Sequence, residues 1–206
     1  MEYALPLATI WLANLLGAMS PGPSFVLVAR ASVGQSRAAG VASALGMGIG
    51  AATWAAAAVF GLALLLAELA WLYRAIQLLG GLYLVYLGVM IWRGAPSPLS
   101  VEGASVAHGP WRSFVVALMI QLSNPKVVVF FGSIFVALLP AHAPAWVWMA
   151  TMGLVLFNET AWYSIVALVF SAAPARRVYG GIKTWLDRAM AGFLAAIGVK
   201  LLLDSR

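Results

Sequence analysis

Lys126 and Glu159 stand apart in a chain that is 64% apolar and only 9% charged. Lys126 falls near the middle of the apolar stretch 112–139, and Glu159 near the middle of 145–171. An ion at bilayer centre costs at least about 2.5–3.5 kcal/mol on insertion scales, so it is kept for binding or for pairing. Glu159 can hold a solute ammonium or carry a proton. Lys126 can pair with Glu159 and lock two helices together, or serve the same path. Polar neighbours gather close by: Asn158 adjoins Glu159, Tyr163 lies one turn further along the same face, and Gln121 lies one turn before Pro125. Asn14 and Gln77 are expected to make ordinary interhelical hydrogen bonds.

Two proline motifs interrupt matching apolar stretches. Ser20-Pro21-Gly22-Pro23, followed by Ser24, lies in the first, and Ser123-Asn124-Pro125-Lys126 lies in the fourth. Proline lacks a backbone donor and clashes with the preceding turn, so a helix breaks there. Inside a membrane such a break is tolerated only where packed protein or a wet cavity satisfies the freed groups. Corresponding breaks in two halves of a chain point to a transporter's binding site. Helix ends freed at Pro21, Gly22, Pro23 and Pro125 would offer N–H groups and a partial positive charge to a carboxylate. Glu159 would then face the amine, with Asn124 and Asn158 as hydrogen-bond partners. A zwitterionic amino acid needs those two features together.

Other chemistries fit less well. The chain has no cysteine, which excludes disulfides, thiol catalysis and a paired-thiol electron carrier. Ser24 could be imagined as a hydrolase nucleophile, but His108 and His142 both lie in expected loops, leaving no base within a span. Export of a hard divalent cation would need several carboxylates, and only Glu159 lies deep. The sequence pI is near 10.1, yet the twelve Lys and Arg residues are dispersed in connectors and form no nucleic-acid face.

These groups must be positioned by helices. Stretches of about twenty apolar residues span a bilayer, and the sequence predicts six, at 5–28, 40–66, 70–92, 112–139, 145–171 and 184–203. Asp187, Arg188 and Lys200 crowd the ends of the last, so five full spans with a shallow sixth segment is the alternative. Glu2 replaces the usual basic start of a signal peptide, so the first stretch reads as a span. The connectors 29–39, 93–111 and 172–183 hold Arg30, Arg37, Arg93, Arg176, Arg177 and Lys183, with Arg112 just beyond the second. The excess of positive charge puts them in the cytoplasm and both termini outside. Trp11, Trp71, Trp92, Trp111, Trp146, Trp148 and Trp185 mark span ends. The expected fold is an all-α integral membrane protein, a single transmembrane domain over 1–206. Its six helices form two inverted three-helix repeats, about 1–92 and 112–206, joined by the cytoplasmic linker 93–111, with the first and fourth helices broken. Gly46 and Gly50 have GxxxG spacing, which suits a homodimer or internal packing; packing is the expectation, as for Gly80, Gly81 and Gly88.

Taken in order, these motifs resemble the LysE/RhtB family of amino-acid exporters over almost the full length. The resemblance is carried by Ser20 to Pro23 with Gly34, Gly40, Gly46, Gly50 and Gly61, then by GGLYLVYLG from Gly80 to Gly88. It continues with NPKVVVFF from Asn124 to Phe131, and with Asp187-Arg188 through Gly192 and Gly198. It implies a cytoplasmic-membrane protein that exports amino acids or related metabolites, driven by the proton gradient. It also implies that Pro21, Gly22, Pro23, Asn124, Pro125 and Lys126 line or shape the path. Family members often carry Asp or Asn directly after the Pro-Gly-Pro unit, where this chain has Ser24. The reading is therefore a secondary transporter in the bacterial inner membrane, not an enzyme, with no cofactor or metal. An amino acid is its solute and a proton its coupling ion. An exporter of another small metabolite or cation, or a non-transport scaffold, is the alternative.

Overall fold

The computed structural model of the chain describes residues 2–19, 23–68, 70–97, 109–139, 143–169 and 172–204. Within them it forms eight α-helices and no strand: α1 (Ala4–Met19), α2 (Pro23–Gly34), α3 (Arg37–Glu68), α4 (Ala70–Gly94), α5 (Pro110–Leu122), α6 (Pro125–Leu138), α7 (Ala145–Val169) and α8 (Ala173–Asp204). Arg37–Gly61 of α3 and the whole of α7 are long and apolar enough to cross a membrane. The pairs α1–α2 and α5–α6 bend by 57° and 59°, and counting each as one broken span raises the number to four. Of the other two expected spans, α4 is free of charge between Arg74 and Arg93, while α8 carries a series of charges from Arg176 to Asp204.

Both breaks fall at the proline motifs. Pro23 opens α2 and Pro125 opens α6, each at a first helical position, where a missing N–H costs nothing. Ser20, Pro21 and Gly22 lie outside the described residues, as do His108, His142 and most of the linker. At the second break several of the freed backbone groups find partners. The Ser123 N–H donates to the Met119 carbonyl at 2.9 Å and the Asn124 N–H to that of Gln121 at 3.3 Å. Trp54 Nε1, from α3, donates to the Leu122 carbonyl at 3.1 Å. Asn124 caps α6 by accepting the Lys126 N–H at 3.0 Å. Partners of this kind are what a break in an apolar surrounding requires.

Two connectors differ from expectation. α2 continues to Gly34, so the first shrinks to two residues before Arg37. The stretch expected as a connector at 172–183 is instead the first third of α8, which runs unbroken from Ala173. Tertiary docking explains this: Lys183, expected in water, is only 7% exposed. It pairs with Asp187 at 2.8 Å and donates to the Ala95 carbonyl just past α4 at 3.2 Å. An i,i+4 ion pair reinforces the helix that carries it.

α3 is the central helix, packed on α5 and α7, while α4 pairs with α8. Small residues permit both approaches. A methyl at Gly46 would strike the Phe114 carbonyl, and one at Gly50 would lie 2.8 Å from Gln121 Cβ, so this GxxxG face is filled by α5 of the same chain. A methyl at Gly198 would lie 2.7 Å from the Gly81 carbonyl, and one at Gly88 2.7 Å from that of Ala191. Outward, Leu79, Leu82, Phe157 and Ile165 are exposed, and so are Trp71, Trp111 and Trp185. An apolar exterior with a tryptophan girdle suits lipid.

Gly46→Ala is expected to cost about 1–3 kcal/mol of stability through overpacking against backbone that cannot yield. Gly61→Ala, which meets nothing within 4 Å, is expected to be neutral. Thermal melts in detergent check this; equal melting of the two variants would contradict the packing described. Trp54→Phe strands the Leu122 carbonyl, and a loss of about 1–3 kcal/mol is expected by the same assay.

Candidate functional site

The hydrophobic interior is divided between two clusters, one including Phe130, Phe131, Leu84 and Leu194, the other Phe25, Met47, Tyr163 and Val166. A cavity of about 40 Å³ lies on the seam between them. Ser24, Gln121, Asn124, Lys126, Glu159 and Tyr163 line it, with Gly17, Phe25, Phe130 and Phe131 forming apolar walls. Both helix breaks therefore open onto one space.

Glu159 is 5% exposed and anchors a run of hydrogen bonds across five helices. Asn14 Nδ2 donates to its Oε1 at 3.0 Å, and Gln121 Nε2 to its Oε2 at 3.4 Å. Ser24 Oγ donates to Gln121 Oε1 at 2.8 Å, and Asn124 Nδ2 donates to Ser24 Oγ at 3.4 Å. The run has a direction. An ionised carboxylate only accepts, so Gln121 must turn its amide nitrogen toward Glu159 and its oxygen toward Ser24. Ser24 then donates to Gln121 and accepts from Asn124.

Lys126 lies in the first turn of α6 and lines the same cavity. Among the described residues it makes no ion pair within 4.0 Å, so the direct Lys126–Glu159 bridge weighed from sequence is not formed. The cavity thus presents a cation and an anion at separate points of its wall. Such a wall can receive a carboxylate at one place and an ammonium at the other.

Of the other residues singled out from sequence, Asn158 turns away. Its Nδ2 donates to the Trp11 carbonyl at 3.0 Å and ties α7 to α1, because adjacent helical positions do not share a face. Pro23 and Pro125 act by opening their helices, and Pro21 and Gly22 lie outside the described residues. The N–H groups expected to await a carboxylate at the second break are taken: Asn124 accepts those of Lys126, Val127 and Val128. An incoming carboxylate would meet the Lys126 ammonium instead. Asn14 does make an interhelical hydrogen bond, but its partner is the site carboxylate, which spacing alone could not reveal.

Asn14→Leu removes one donor from a buried carboxylate and is expected to cost about 1.5–3 kcal/mol, read as a lowered melting temperature. Asn14→Asp, which sets a second carboxylate against the first, is expected to be worse. An Asn14→Asp protein as stable as the original would remove Asn14 from the site.

Similarity to known proteins agrees with this geometry. Residues 15–205 match the family described as LysE type translocator. The threonine efflux protein of Salmonella typhi is 32% identical over 200 residues, covering 95% of this chain and 97% of that protein. The threonine efflux protein of Escherichia coli K12 is 32% identical over 204 residues with the same coverage. An uncharacterized membrane protein of Haemophilus influenzae is 30% identical over 185 residues, covering 88% of each. No solved structure matches. With both proline motifs, Lys126, Glu159 and nearly its whole length inside the match, the chain belongs to the LysE type translocator family.

Proposed function

We propose that this protein exports amino acids, threonine or a close analogue among them, across the bacterial cytoplasmic membrane. The observation that carries the reading is the pair of unbridged opposite charges, Lys126 and Glu159, on one buried cavity at two helix breaks. Glu159, oriented by Asn14 and Gln121, receives the solute ammonium, and Lys126 receives its carboxylate. Ser24, Asn124 and Tyr163 complete the polar wall, and Phe25, Phe130 and Phe131 exclude larger side chains. The relatives whose names specify threonine efflux support an amino acid over other metabolites.

The cavity is small, about 40 Å³, and the reading has it widen to take an amino acid. Entry and release require α2 or α6 to swing about the breaks at Pro23 and Pro125. Alternating access of this kind follows from two inverted halves with six spans in all. Exchanging α1–α4 with α5–α8 preserves part of the packing, though not the contacts of α2 on α3 or of α4 on α6. It turns the contact of α1 on α7 into that of α5 on α3, and α2 on α7 into α6 on α3. The contacts α3–α7 and α4–α8 map onto themselves. The excess of Arg and Lys on one side supports both termini outside. A proton returning through Glu159 is the coupling we propose.

Cells preloaded with dipeptides and expressing the protein should release a defined set of amino acids faster than cells without it. Glu159→Gln should reduce that release at least about tenfold, the effect of about 1.4 kcal/mol, while inserting into the membrane normally. Undiminished release by Glu159→Gln would contradict the assignment. Equal release with and without the protein would turn the reading toward a different metabolite, with Ser24 as the departure that permits it.

A further inference from the structure

α8 buries a second group of charges that the cavity does not use. Lys183 and Asp187 are 7% and 3% exposed and joined at 2.8 Å through Oδ2. Lys183 Nζ and Thr184 Oγ1 both donate to the Ala95 carbonyl, at 3.2 and 3.1 Å, closing the end of α4 as basic residues commonly do. That structural task accounts for Lys183 and for one oxygen of Asp187. It leaves Asp187 Oδ1 buried with no hydrogen-bond partner. A carboxylate oxygen held from water without a donor is costly even when its twin is paired, and it can accept a further donor. Arg188 does not supply it, since its guanidinium lies over the Trp92 ring, 5.4 Å from the centroid.

A cation stands on a neighbouring helix. α6, whose first turn carries Lys126, packs on α8, and Lys126 is ion-paired with neither Asp187 nor Glu159. We infer that Lys126 is a two-position cation, standing toward Glu159 when no solute amine is bound and moving onto Asp187 Oδ1 when Glu159 is taken. The movement draws the first turn of α6 toward α8, beside the break at Pro125. Asp187 is then a positioning residue for transport, acting through Lys126. Naming the solute amine as the trigger rests on the export reading; the paired positions of Lys126 do not.

The test is a double-mutant cycle on the purified full-length protein in detergent, without solute, read as melting temperature. Lys126→Met, Asp187→Asn and the double variant are measured in the native background and again with Glu159→Gln. Glu159→Gln leaves Lys126 only Asp187, so the Lys126–Asp187 coupling should grow by at least about 3 °C, roughly 1 kcal/mol for a chain of this size. A coupling unchanged or smaller in the Glu159→Gln background would overturn the inference. If Asp187→Asn does not fold because Lys183 loses its partner, Lys183→Met is combined with it to remove the pair as a unit. The cycle is then read against Lys183→Met alone, with the same two outcomes. Because no solute is present, this coupling and amino-acid efflux can fail independently of each other.

Discussion

A buried carboxylate that can only accept hydrogen bonds sets the order of everything around it. Glu159 requires donors from two sides, and Asn14 and Gln121 supply them from α1 and α5. Once Gln121 has given its nitrogen to Glu159, its oxygen is committed to Ser24, and Ser24 in turn accepts from Asn124 at the head of α6. One charge therefore fixes the rotamers of four side chains on four other elements. Networks in a low-dielectric interior strengthen when every member is satisfied and are costly when one is not. Movement of α2 or α6 must break this run at Ser24 or Asn124, and occupation of Glu159 by a cation changes what the run is worth.

The scaffold makes such a network affordable in an apolar chain. Proline opens α2 and α6, and at the second break Asn124 and Trp54 meet groups freed there. Gly46 and Gly50 let α3 approach α5 closely enough to press on Gln121, which holds that amide where the carboxylate needs it. On the far side, the glycines of α4 and α8 bring those helices together and bury Lys183 and Asp187. α6, whose first turn carries Lys126 on the cavity wall, packs on α8 as well. Family membership, translocation and this geometry form one account: a small cavity between two helix breaks, with charges of both signs on its wall.

Much of the site was legible in the sequence because its signals are local. A charge inside a long apolar stretch marked Lys126 and Glu159, and proline marked the two breaks. Gln121, Asn124 and Tyr163 followed by helical spacing and do line the cavity. Asn158 was drawn in by adjacency, although neighbouring positions on a helix diverge. The role of Asn14 and the burial of Lys183 and Asp187 depend on contacts between distant segments, which no spacing encodes. The stretch 172–183 reads as a polar connector for the same reason, since docking on α4 rather than its own apolarity makes it helical. The apolar walls at Phe25, Phe130 and Phe131 were equally hidden, as aromatics in such a chain carry no mark of their side.

The central claim is that the cavity beside Glu159 lies on the path of the solute. The most direct measurement is the rate at which a small thiol reagent labels Val127→Cys, a conservative change on the cavity wall of a chain with no other cysteine. In membranes holding a variant that still exports, labelling should proceed and should slow when an exported amino acid is added, but not with one the cells retain. Labelling at a rate indifferent to every exported amino acid would contradict the account and place the path elsewhere.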